Sequence, residues 1–143
     1  MAQAIAAAER AGLVGEVPVG AVIVDRSGAV LAVAENRMRR DCDPTAHAEV
    51  VAIRAACRLR GSERIPDCDL YVTLEPCALC AAAISFARIR RLYFGAADEK
   101  GGAVENGSRF FSSASCHHRP DVYSGIDEAR SAALLTAFFA ARR

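Results

Sequence analysis

Between Leu70 and Gly95 the chain reads strand, helix, strand, and this constrains the fold more than any other feature. Leu70-Tyr71-Val72-Thr73-Leu74 is short and apolar, and Glu75-Pro76 ends it. A helix runs on through about Ala87, and Arg91 to Gly95 is a second strand. Two strands joined through a helix cannot close as a tight hairpin, so they pair in parallel with a right-handed crossover. A parallel pair needs helices over its faces. The chain is thereby committed to an α/β architecture.

The flanking segments complete the sheet. Residues 2–11 read as a helix. Val17 to Val24 is rich in β-branched residues and reads as a strand, Asp25-Arg26-Ser27-Gly28 as a turn, and Ala29 to Ala34 as an antiparallel partner. Asp43-Pro44-Thr45 breaks the chain. Thr45 is the expected N-cap of a helix through about Leu59, where Val50, Ile53 and Cys57 recur at helical spacing and Gly61 is the stop. Residues 98–125 hold Gly, Ser and His with little periodicity and read as a loop. Asp127 is expected to cap a last helix that carries Phe138 and Phe139 toward Arg143. The expectation is one α/β domain over residues 1–143, with three α/β/α layers and a mixed sheet.

Composition narrows the function classes. A length of 143 residues suits one domain, and 52% hydrophobic against 24% charged residues excludes a disordered chain. No apolar run approaches the roughly 20 residues that span a bilayer, so no membrane partner is expected. No basic segment precedes the Ala-rich N-terminus, and Glu9 and Arg10 interrupt it; the expected compartment is the cytoplasm. A net charge of +1 excludes a basic footprint over the whole molecule, so any nucleic-acid contact must be local. Lys100 is the only lysine among 18 basic residues. Arginine forks suit phosphates and bases, but an Ala-rich, Arg-rich chain also follows from a GC-rich genome. Cys42, Cys57, Cys68, Cys77, Cys80 and Cys116 form no secreted disulfide framework; in a reducing compartment they are ligands, buried groups or reactive thiols.

Spacing separates these roles. Cys77 and Cys80 lie at i and i+3 at a helix start, so both sulfurs can reach one ion. His47 and Glu49 lie at the start of the other helix. Two helix N-termini converging on one point would favour thiolates through their dipoles. A lone Cys-x-x-Cys is also compatible with a redox pair or packed thiols; the combination with His47 and Pro76 points to zinc. Two thiolates and an imidazole suit that borderline-soft ion, and three ligands leave the open position of a catalytic site. A structural site would need a fourth ligand, which Cys42, Cys57, Cys68 or Cys116 could supply. An open zinc lowers the pKa of bound water toward about 7. Glu49 would then move protons while the resulting hydroxide attacks an amino-bearing ring carbon, releasing ammonia.

His47-Ala48-Glu49 with Pro76-Cys77-Ala78-Leu79-Cys80 resembles the signature of the zinc-dependent cytidine and deoxycytidylate deaminase superfamily, a signature already tied to this chemistry. Glu16 to Val22, Asp43 to Glu49, Leu70 to Cys77, Arg91 to Ala96 and the Leu134-Leu135 and Phe138-Phe139 pairs are similar to the bacterial tRNA-specific adenosine deaminases. The likeness covers residues 5–143 and is weakest over 101–125. It implies a cytidine-deaminase-like sheet of mostly five strands, one Zn²⁺ per subunit on His47, Cys77 and Cys80, and Glu49 as proton shuttle. It further implies base contacts from Asn36, Val22, Ala48 and Pro76, and RNA contacts near Asp98, Lys100, Phe139 and Arg142. The implied substrate is the wobble adenosine of an arginine tRNA anticodon loop, converted to inosine by a homodimer. Arg37, Arg39, Arg40, Arg88 and Arg109 are further candidates for phosphate contact; His117 and His118 are not proposed as ligands. Deamination of a free nucleobase or nucleoside (guanine or cytosine, for example) shares the same motif, and a non-enzymatic zinc-stabilised binding module is a further alternative that leaves Glu49 without a task.

Overall fold

The computed structural model describes all 143 residues. Five strands, β1 (Gly20–Val24), β2 (Val30–Glu35), β3 (Asp69–Leu74), β4 (Arg91–Ala96) and β5 (Asp121–Tyr123), form one sheet in the order β2-β1-β3-β4-β5. β1 runs antiparallel to β2 and β3, whereas β3, β4 and β5 are parallel. Four helices, α1 (Ala2–Leu13), α2 (Ala48–Arg60), α3 (Ala78–Ala87) and α4 (Glu128–Ala140), cover it. This is the mixed five-stranded α/β sheet that the sequence and its resemblance imply.

Strand alternation sorts the two faces. Ala21 and Ile23 of β1 join a core with Ala48, Ala52, Ile53 and Ala56 of α2, Ala81 and Ile84 of α3, and Leu70, Val72, Leu92 and Phe94 of the parallel strands. The even positions of β1 face the other way. Gly20 lies against the backbone of α1 at Ala4 and Ala8, where any Cβ would collide, which explains an alanine-rich helix that can approach so closely. α1 also packs on α4, and α4 covers β3 and β4.

Four expectations shift. β1 begins at Gly20 rather than Val17, because Pro18 has no N–H for a ladder and the Val19 N–H turns back to the Val17 carbonyl at 2.8 Å. α2 begins at Ala48 rather than just after Thr45. The Thr45 N–H and hydroxyl both donate to Asp43 Oδ1 at 2.8 and 2.7 Å, which closes a turn ahead of the helix. Within 98–125, read as loop, stand β5 and a short 3-10 turn over Phe110–Ser112. Tyr71, Tyr93 and Tyr123 stack across in-register strands at 4.4 and 4.9 Å between ring centres and fix β5 on β4. Asp127 does precede α4, but in a left-handed conformation (φ 54°) and without a side-chain cap. Gly61 ends α2 as expected, at φ 66°.

Candidate metal and catalytic site

His47 and Cys77 occupy the N-cap positions of α2 and α3, in extended backbone conformations. Neither is of a residue type that favours this position, and neither side chain makes a capping hydrogen bond. Replacing Ser, Thr or Asp at such a position gives up about 1 kcal/mol of helix stability. What is gained is two donor side chains that can meet at one point off two helix ends. Cys80, fully buried, is the third residue of α3 and joins them.

His47 Nδ1 lies 3.6 Å from Cys77 Sγ and 3.5 Å from Cys80 Sγ, and all three donor atoms fall within 4.8 Å of one another. A zinc tetrahedron with bonds of about 2.3 Å to sulfur and 2.0–2.1 Å to nitrogen has an S···N edge of roughly 3.6 Å. The donor set and its spacing therefore fit zinc. The thiols carry the same message. The hydrogen bond from Cys80 lowers Cys77 to about 4, while the same contact, with burial, pushes Cys80 far above its ordinary value. Two sulfurs this close share one proton; a dication among the donors would charge both. His47 is raised, first by its contact with the Cys77 sulfur.

Glu49, 4% exposed, stands on the first turn of α2. Burial pushes its carboxyl up to about 7, which suits proton transfer at neutral pH. It lines a cavity of about 220 Å³ with His47, Cys77, Asn36 and Met38, between an apolar wall of Val17, Val19 and Leu74 and a loop contributing Asp98 and Gly101. Asn36 is held through its backbone N–H to the Val19 carbonyl at 3.1 Å, and its side-chain amide bonds no other residue. An apolar slot with one free amide and one proton-carrying acid can take a planar, nitrogen-bearing ring.

A groove of about 710 Å³ adjoins the cavity and shares Val17, Leu74 and Asp98 with it. Lys100, Leu135, Phe139 and Arg143 line it. The structure thus brings Asp98, Lys100 and Phe139 together beside the cavity. It does not bring Arg142, whose guanidinium lies 3.4 Å over the Phe138 ring and donates to the Phe138 carbonyl. Val22 is also elsewhere. As an even position of β1 it faces the α1 side, in a depression with Met1 and Tyr71, whereas Val19 has the parity that reaches the cavity. Ala48 lies buried between His47 and Glu49, and Pro76 is buried just ahead of Cys77, where its carbonyl accepts the Ala103 N–H at 2.9 Å. Arg37 is paired with Asp41 and Arg40 with Glu35; Arg88 and Arg109 sit in left-handed turns. His118 Nε2 donates to the Ile89 carbonyl at 2.7 Å and anchors its loop.

Two buried acids escaped the sequence reading. Glu16 accepts the Arg39 N–H at 2.8 and 3.2 Å and so ties down the turn after Asn36. Glu75 does the same for the loop after β4. The available signal was a charged residue directly abutting a buried strand, Leu74-Glu75-Pro76, where burial demands partners.

Residues 1–96 match the family described as the cytidine and deoxycytidylate deaminase zinc-binding region. A tRNA-specific adenosine deaminase of Agrobacterium fabrum is 59% identical over the whole chain and 93% of its own length. Another from Rickettsia bellii is 49% identical, covering 97% of each chain. A solved structure from a study of A-to-I editing by tRNA:A34 deaminases at the wobble position of transfer RNA is 61% identical, with a TM-score of 0.93, over 94% of this chain and 97% of that one.

Proposed function

The chain belongs to the cytidine and deoxycytidylate deaminase family of zinc-binding enzymes, and from that premise we propose that it hydrolyses the wobble adenosine of a tRNA anticodon loop to inosine, with an arginine tRNA as carrier. The observation that carries this reading is a base-sized cavity holding Glu49 and opening beside a groove lined by Lys100, Phe139 and Arg143. A free nucleobase would need the cavity alone. A nucleotide within a strand also needs a surface for its neighbours, and an aromatic ring with two cations supplies stacking and phosphate contacts. A base in an anticodon loop is already unpaired, which reduces the few kcal/mol that flipping costs.

His47, Cys77 and Cys80 would hold zinc, which supplies a Lewis acid able to make water nucleophilic at neutral pH. Glu49 takes a proton from the water that attacks C6 and delivers it to N1. It then carries the second proton to the exocyclic amine as the C–N bond breaks, so adenosine and water become inosine and ammonia. Asn36 bonds the polar edge of the ring and orients it. Val17, Val19 and Leu74 hold the plane of the base and exclude bulk water. The reading sets the enzyme in the cytoplasm, where tRNA is modified, as a single domain. It also makes it a homodimer, supported by Leu79 and Phe86, which stand exposed seven residues apart on α3.

The test incubates the zinc-loaded protein with an anticodon stem-loop carrying a wobble adenosine, with the same sequence as a duplex, and with free adenosine, adenine, guanine and cytosine. Inosine in the stem-loop, little in the duplex and very little product from free compounds is expected. Equal efficiency on a free nucleobase would move the reading to a nucleobase deaminase.

A further inference from the structure

Glu75 follows the last residue of β3 and is 2% exposed. Its own N–H donates to the Ala96 carbonyl at 2.8 Å, extending the β3–β4 pairing by one step. Its carboxylate is turned to the loop after β4. One oxygen accepts the Asp98 N–H at 3.1 Å and the Asn106 side-chain amide at 2.8 Å. The other accepts the N–H groups of Val104, Glu105 and Asn106 at 3.2, 3.1 and 3.0 Å. Five N–H donors thus satisfy a buried carboxylate that forms no ion pair with a lysine or arginine. Gly102 completes the fit: a Cβ there would run into this carboxylate and into the Asp98 carbonyl. The loop closes on itself through Gly102 N–H to Asp98 and is tied to the metal-site strand end through Ala103 N–H to Pro76, both at 2.9 Å.

The other side of this loop is working surface. Asp98 and Gly101 line the cavity; Asp98 and Lys100 line the groove. The run Lys100-Gly101-Gly102 has no packing side chain of its own beyond Lys100, so ordering it must be offset by something outside it. We propose that Glu75 is a positioning residue for substrate: it gathers segment 98–106 around a buried carboxylate and so sets one wall of both the cavity and the groove. This rests on the reading that the groove takes nucleotides flanking the reacting base. Glu75 borders the same cavity as Glu49, but both its oxygens are committed to loop donors, which separates its task from proton transfer. A carboxylate alone suits it, because a glutamine would set an NH₂ group against a ring of N–H donors.

The test uses zinc-loaded, full-length Glu75→Gln, Asn106→Ala and Gly102→Ala, with amide hydrogen exchange and steady-state kinetics on the anticodon stem-loop. In Glu75→Gln the amides of Asp98, Val104, Glu105 and Asn106 should exchange on the order of tenfold faster or more, while α2 and α3 stay protected and zinc stoichiometry holds. KM for the stem-loop should rise on the order of tenfold with kcat little changed, the sign of lost binding rather than lost chemistry. Asn106→Ala, which keeps the carboxylate, should show a smaller rise of the same kind, and Gly102→Ala should resemble Glu75→Gln. Should Glu75→Gln fail to fold, the other two carry the test. Wild-type exchange over 98–106, or a fall in kcat at unchanged KM, would overturn the proposal. Failure of the wild-type protein to turn over the stem-loop defeats the functional reading instead, and the exchange data still decide whether Glu75 orders the loop.

Discussion

Glu49 and Glu75 are buried acids bordering one cavity, and their surroundings set them apart. Glu49 is held by burial near a pKa of about 7, able to give and take a proton, whereas loop donors hold Glu75 below the usual carboxylate range in spite of burial. Glu49→Gln keeps the volume and the zinc ligands but cannot carry a proton. Turnover should fall by about 10²–10⁴ while metal content stays at one per chain, measured by inosine formation beside metal analysis. Near-normal turnover in a zinc-loaded Glu49→Gln protein would remove the shuttle role. The ligands behave differently. Cys77→Ser and Cys80→Ser should each lower zinc content and melting temperature, Cys80→Ser more so, because its site is fully buried and a misplaced hydroxyl there finds no water. Full zinc stoichiometry in both would strike these cysteines from the ligand set.

At the scale of elements, the end of α4 tests which side chains face the nucleic acid. Arg142, just past the end of α4, holds its guanidinium over the Phe138 ring, whereas Arg143 and the 48%-exposed Phe139 border the groove. Arg143→Ala should weaken stem-loop binding and reduce the slope of log affinity against log salt by about 0.7, the loss of one phosphate contact to a single strand. Arg142→Ala should leave that slope unchanged and cost about 0.5–1 kcal/mol of stability through its ring contact. Binding titrations at several salt concentrations separate the two; a slope that changes only in Arg142→Ala would reverse the assignment. The Arg142 expectation illustrates what a sequence withholds, since adjacent arginines at a helix end differ only in which way each turns. The strand–helix–strand unit was legible because β3 and β4 are apolar runs with a helix of the right length between them. The metal triad was legible because a shared helix face fixes the Cys77–Cys80 spacing. The start of α2 was misread because Thr45, a good cap by type, is engaged by Asp43 instead. β5 escaped notice because three residues at a sheet edge, held by a tyrosine stack with β4, carry no period of their own. Glu16 and Glu75 were illegible as anchors because their partners, the Asn106 side chain apart, are main-chain N–H groups more than twenty residues away, and every residue type but proline carries one.

In the whole molecule, the three candidate ligands stand at the starts of two helices on one face of the sheet, so a metal held there would tie α2 to α3 across the core they share. Binding confined to the folded state adds to stability, and the size of that addition depends on pH. The sign follows from the groups at the site. Burial raises the Glu49 pKa from 4.5 to about 7, so its neutral form contributes stability that is fully present below 4.5 and is lost as pH rises through about 7. Cys77 acts in the opposite sense: lowered to about 4 by its hydrogen bond from Cys80, its thiolate contributes stability that is lost as pH falls through about 4. Zinc binding adds a trend of its own, because Cys80 must give up a proton that Cys77 and burial hold tightly, and a metal that displaces protons binds better as pH rises. Burial of Glu49 acts in both the zinc-loaded and the chelated form and drops out of their difference, so the proton that Cys80 gives up sets the gap between them. The difference in melting temperature between zinc-loaded and chelated protein should grow steadily from about pH 5 to about pH 8. In Glu49→Gln, which has no carboxylate to titrate, both forms should lose the Glu49 part of their pH dependence while the gap between them keeps its slope. Paired thermal melts across that range decide the matter. A gap that is constant or shrinks with pH would mean that zinc displaces no proton on binding, and the coupling of ligand charge to fold stability would be wrong.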